Sequence, residues 1–149
     1  MYQDVRSVIN IAGRFNLKEG IEGRLGQRYM ERIKQDGCID VRNREGQFLY
    51  RVTEDSLMDR LSTDTRGACS MIGKECRVLT IHGSEDETVP LKDAFEFGSV
   101  IGSHEIRVVE GADHHFSSHQ GRLSSLVLEF LNDISPKCRL CNQIVISKL

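Results

Sequence analysis

Two short stretches carry the residue types needed for proton transfer. From His82 the chain reads HGSEDETVP, with Glu85, Asp86 and Glu87 crowded behind an apolar segment, and from Gly111 it reads GADHHF, with His114 and His115 adjacent. A carboxylate that accepts a bond from one ring nitrogen of histidine fixes the tautomer and steadies the imidazolium. The other nitrogen is then left to take a proton from a nucleophile. Asp86 and His114 lie 28 residues apart, close to the length of one strand, crossover helix and strand unit. In a parallel sheet such a unit returns both strand ends to one edge, with paired strands about 4.8 Å apart, so loops leaving those ends can bring an acid and an imidazole together. Position alone leaves the choice among the acids open. Asp86 is favoured because it follows the HGS turn by two residues and precedes TVP, which returns the chain into a helix.

The elements that must position this pair follow from periodicity. VRSVINIAG is a β-branched run stopped by Gly13, and CRVLTIH is nearly continuous in apolar residues; both read as strands covered on both faces. Pro90 suits the first turn of a helix in which Ala94, Phe97, Val100 and Ile101 recur at helical spacing. HEIRVVEG is a further strand, and Leu123, Leu126, Val127, Phe130, Leu131 and Ile134 form the stripe of a closing helix. The alternation of strand and helix predicts an α/β fold with parallel strands joined by right-handed crossovers.

Between Asn16 and about Asp64 the chain is charged and punctuated by glycine. The spacing predicts helices over Leu17 to Leu25 and Gln27 to Gln35, a hairpin around Asn43 to Gly46, and a helix over TEDSLMDRL with Thr53 as N-cap, followed by another from about Asp64 to Ile72. Only part of this stretch carries a clear apolar face. It is read as an excursion from the core, a lid or cap.

With 20 basic and 22 acidic residues mixed along 149 positions and no basic run, the chain lacks the electrostatic footprint of a nucleic-acid or anionic-membrane binder. No apolar stretch approaches the roughly 20 residues that span a bilayer, and MYQDVRSVIN lacks the layout of a secretory signal. A cytoplasmic protein is expected. Five cysteines, Cys38, Cys69, Cys76, Cys138 and Cys141, are an odd number in that setting, so reduced thiols are expected rather than a disulfide framework.

Taken together, VINIAGRF, VLTIHGSEDETVP, GADHHF and RLSSLVLEFL resemble the carboxyl-terminal half of an α/β-hydrolase of the serine-aminopeptidase-like, esterase and lipase type, especially plant members, over about residues 5 to 134. The resemblance implies a partial α/β-hydrolase fold, an incomplete parallel sheet flanked by helices, with a helical lid inserted at about 16–64 and an atypical tail at 135–149. It also implies that Asp86 and His114 complete a catalytic triad for hydrolysis of an ester or amide through an acyl-enzyme, with no cofactor.

The family's G-x-S-x-G elbow, which lifts the nucleophilic serine above the sheet edge, does not occur. Ser70 in GACSMIG lacks the glycine spacing, and Ser84 sits in the acid loop itself. The expectation is therefore a truncated hydrolase, a shortened product or a split pseudo-enzyme, inactive alone. The strand near Val8 is expected to have lost its neighbour, leaving an open edge for self-association or for docking to the missing half. The alternative to an enzyme is a non-catalytic interaction module using that edge.

A metal site is the rival chemistry. His115 and His119 stand four residues apart and CRLC supplies Cys138 and Cys141, a donor set suited to zinc. The amphipathic helix between the pairs is expected to hold them apart, leaving reduced thiols in a loose tail and no metal.

Overall fold

The computed structural model describes residues 5–133 and the backbone of 144–147. Two compact units result, one of Met1–Phe15 with Arg66–Leu149 and one of Asn16–Thr65.

The first unit is built on a four-stranded sheet in the order β5-β4-β1-β6, where β1 is Ser7–Ile11, β4 Arg77–Gly83, β5 His104–Val109 and β6 Ile144–Ser147. All its pairings are parallel. Side chains alternate across the sheet as a two-residue period requires. Ile9, Ile11, Leu79 and Ile81 gather with Val109, Phe116, Leu126 and Phe130 on the face covered by α6, Gln120–Asn132. Val8 and Val78 point the other way, joining Phe15, Cys69, Cys76 and Ile101 beneath α4, Thr65–Ser70, and α5, Lys92–Val100. Each fully buried aliphatic or aromatic side chain contributes about 1.5–3 kcal/mol relative to exposure, which fixes strand register and holds the helices on both faces.

β6 is a correction. The outer edge of β1 was expected to be unpaired; instead Ser7, Val8, Ile9 and Asn10 pair with Ile144, Val145, Ile146 and Ser147. The physical reason lies in composition, because Ile-Val-Ile is a strong strand former and an uncovered ladder of N–H and C=O groups is a template for any such segment. Residues 144–147 thus pair within this sheet.

The second unit, Asn16–Thr65, holds helices together with the hairpin read around Asn43 to Gly46. Helices α1, Ile21–Leu25, α2, Tyr29–Asp36, and α3, Glu54–Ser62, accompany an antiparallel hairpin of β2, Cys38–Arg42, and β3, Phe48–Thr53. Ile21, Leu25, Ile33, Ile39 and Leu57 form its own core. The hairpin turn falls at the expected place, with Asn43 Oδ1 accepting from the N–H groups of Glu45 and Gln47. Thr53 caps α3 as expected, accepting from Ser56 N at 3.2 Å, while Ser56 Oγ accepts from Thr53 N at 3.1 Å.

Helix α5 starts later than Pro90 suggested. The Pro90 and Leu91 carbonyls instead accept from Asp93 and Ala94, a tight turn that delays the helix to Lys92. Ile134 lies outside the described residues.

Candidate active site

Strands β4 and β5 end at one level, where Gly83 pairs with Val109. The loops beyond them are stitched together. Ser84 N donates to Val109 O at 3.0 Å, Glu85 N to Ala112 O at 3.1 Å, and Gly111 N to Ser84 Oγ at 2.8 Å. Gly83 permits this approach, because a Cβ there would lie 2.2 Å from the Ala112 carbonyl oxygen. Ser84, set aside above as a nucleophile, has a structural bond at this seam.

On this platform the structure brings Asp86 and His114 together: Nδ1 of His114 lies 2.8 Å from Oδ2 of Asp86. The Asp86 side chain is 0% exposed and that of His114 11%, so the carboxylate is screened from water while the imidazole reaches the surface. A buried carboxylate requires hydrogen-bond donors. Asp86 Oδ1 receives two, from Thr88 N at 2.9 Å and Val89 N at 2.7 Å, which leaves Oδ2 facing the imidazole. Arg14, beyond the end of β1, donates to the Thr88 carbonyl and ties this loop to the sheet. Glu85 and Glu87 are exposed, so geometry separates Asp86 from its neighbours.

A carboxylate only accepts, so His114 carries its proton on Nδ1 when bonded to Asp86. No described residue bonds its Nε2. Such an arrangement can accept a proton at Nε2 and return it.

The turn that presents His114 is anchored below and in front. Phe116 is fully buried in the α6-side core and holds a left-handed backbone at φ 53°, a conformation that costs a non-glycine residue about 1 kcal/mol or more. Asp113 accepts from Ser117 Oγ and Ser117 N, each at 2.7 Å, and these bonds, the side-chain one foremost, hold its carboxyl below the usual range. Neither anchor was singled out from sequence. The signal for the second was an Asp and a Ser four positions apart; the first needed tertiary information.

His115 is exposed and sets its ring edge-on to that of His114, with centroids 5.2 Å apart. His119 is the N-cap position of α6, so both histidines precede the helix rather than share one of its faces. Cys138 and Cys141 lie outside the described residues. Among the described residues no three His, Cys, Asp or Glu side chains gather as a metal site. Cys38, Cys69 and Cys76 are free thiols, and burial pushes the last two above the ordinary thiol range.

Beneath the rim, a polar relay crosses three strands. Asn10 Nδ2 donates to Thr80 Oγ1 at 3.2 Å, and Thr80 Oγ1 lies 2.8 Å from His104 Nε2. Burial lowers the His104 pKa from its ordinary value.

Solved structures of α/β hydrolases share this fold, a parallel sheet with helices on both faces. The chain is similar to Est1E from Butyrivibrio proteoclasticus with ferulic acid bound, at TM-score 0.66 and 17% identity over 86% of this chain and 49% of that one. It is likewise similar to alpha/beta hydrolase domain-containing protein 10 from mouse, at TM-score 0.56 and 19% identity over 87% of this chain and 53% of that one. The chain thus spans about half the length of these proteins. No family model and no curated protein matches it. Among the described residues no helix is long and apolar enough to cross a membrane.

Proposed function

We propose that this chain is the acid- and base-bearing, carboxyl-terminal part of a serine hydrolase acting on small ester or amide substrates through an acyl-enzyme. His114 is the general acid/base, Asp86 its orienting partner, and a hydroxyl outside the described residues the nucleophile. The observation that carries this reading is the 2.8 Å contact between His114 Nδ1 and a buried carboxylate whose other oxygen is already held by two backbone donors. The insertion at residues 16–64 is the hydrolase's lid in this reading. Free thiols at Cys38, Cys69 and Cys76 support a cytoplasmic location.

The test is labelling by a serine-directed fluorophosphonate. The chain alone is expected to stay unlabelled, and a mixture with the separately produced amino-terminal half of an intact relative is expected to label and hydrolyse a p-nitrophenyl ester. Replacing His114 by Ala should abolish both. Turnover that survives His114→Ala rules out this base.

One observation favours a second reading, a non-catalytic remnant rather than a module docking through an open edge. The place beside β1 is taken by β6, which covers that edge from within the same chain. Docking through that edge then requires β6 to leave. Failure of every amino-terminal half to restore labelling, with the chain folded, selects this reading.

A further inference from the structure

His82 stands one residue from the end of β4 and is fully buried. An imidazole enclosed in an apolar strand lowers stability unless its nitrogens are engaged. Nε2 lies 2.9 Å from the Val89 carbonyl oxygen and 3.4 Å from Asp86 Oδ2. A carbonyl oxygen only accepts, so Nε2 carries the proton and donates it to the Val89 carbonyl. Nδ1 has no hydrogen-bond partner among the described residues. An unsatisfied buried acceptor disfavours histidine at this place on grounds of stability. Its use lies in what Nε2 holds.

Val89 is gripped on both sides. Its N–H donates to Asp86 Oδ1 at 2.7 Å, and its carbonyl accepts from His82. His82 Nε2 also lies within 3.4 Å of Oδ2, the oxygen that faces His114. The Val89 peptide therefore links the buried imidazole of His82 to Oδ1 of Asp86.

We propose that His82 is a positioning residue that fixes the Asp86 carboxylate, through the Val89 peptide, in the orientation that presents Oδ2 to His114 Nδ1. This rests on the reading of Asp86 and His114 as an acid–base pair. It assigns the histidine of HGSEDETVP to orienting the acid rather than to proton transfer with substrate.

The test compares His82→Gln with His82→Asn. The Gln side-chain amide places a donor near Nε2, whereas the Asn amide falls near Nδ1 and cannot reach the Val89 carbonyl; both keep a polar amide of similar burial. The readout is solvent exchange of the His114 Nδ1–H proton by NMR in the full chain. Exchange close to wild type in His82→Gln, and about two- to tenfold faster in His82→Asn, is expected from losing one hydrogen bond's worth of order. Equal exchange in both variants, fast or slow, overturns the assignment. A wild-type chain with no protected Nδ1–H removes the acid–base reading and this inference together, whereas a protected wild-type proton unmoved by either variant removes this inference alone.

Discussion

Gly83→Ala tests how the site is assembled without touching an acid or a base. The added Cβ would stand 2.2 Å from the Ala112 carbonyl oxygen, 2.8 Å from its carbonyl carbon and 3.0 Å from the Asp113 carbonyl oxygen. These are backbone atoms, which no rotamer change can move aside. Reaching an ordinary contact requires the Ala112 carbonyl to retreat by roughly 1 Å, a displacement of overpacking type costing about 1–3 kcal/mol. That carbonyl accepts from Glu85 N at 3.1 Å, so the same shift breaks the bond joining the acid loop to the histidine loop. Losing it adds about 0.5–1.5 kcal/mol. The expected destabilisation is about 2–4 kcal/mol in urea unfolding, with faster amide exchange at Glu85. A change below about 0.5 kcal/mol with Glu85 still protected would refute the close approach of the two loops.

Three further outcomes follow from the same structure. Phe116→Ala should destabilise the chain by about 3–5 kcal/mol in urea unfolding, because it empties the fully buried anchor behind His114; a loss near zero would mean that the turn is not held from below. Burial lowers the His104 pKa below its ordinary 6.5, so the unfolded chain takes up a proton there that the folded chain does not. Stability from this group is full above 6.5 and declines as pH falls through 6.5 towards the folded value. His104→Gln should flatten that decline below pH 6.5, and an unchanged slope would contradict the burial of a neutral imidazole. Deleting residues 144–149 uncovers the β1 edge and should make sedimentation concentration-dependent through edge association; a deletion variant that sediments like the parent chain would show that β6 is not needed as a cover.

Much of the fold was legible because it is written in local patterns. CRVLTIH announced a strand buried on both faces and RLSSLVLEFL an amphipathic helix, while Thr53 and Asn43 marked a cap and a turn by side-chain chemistry that acts within a few residues. The pairing of Asp86 with His114 was legible through unit length, since a crossover of that span returns to the same rim. What escaped was non-local. The pairing of β6 with β1 joins segments from opposite ends of the chain, and nothing within IVIS states which edge it covers. The dependence of the rim on Gly83, and the reach of Arg14 to Thr88, likewise arise only when distant backbone segments meet. His82 was visible as a polar residue inside an apolar strand, but its burial beside Val89 and Asp86 needed the structure.

The imidazole 1H–15N spectrum of the folded chain addresses the acid–histidine pair most directly. His114 should hold its proton on Nδ1, with a downfield N–H resonance that vanishes in Asp86→Ala and persists in Glu85→Ala and Glu87→Ala. A His114 ring that exchanges freely between tautomers, or a resonance untouched by removal of the Asp86 carboxylate, would contradict the pairing on which the proposed chemistry stands.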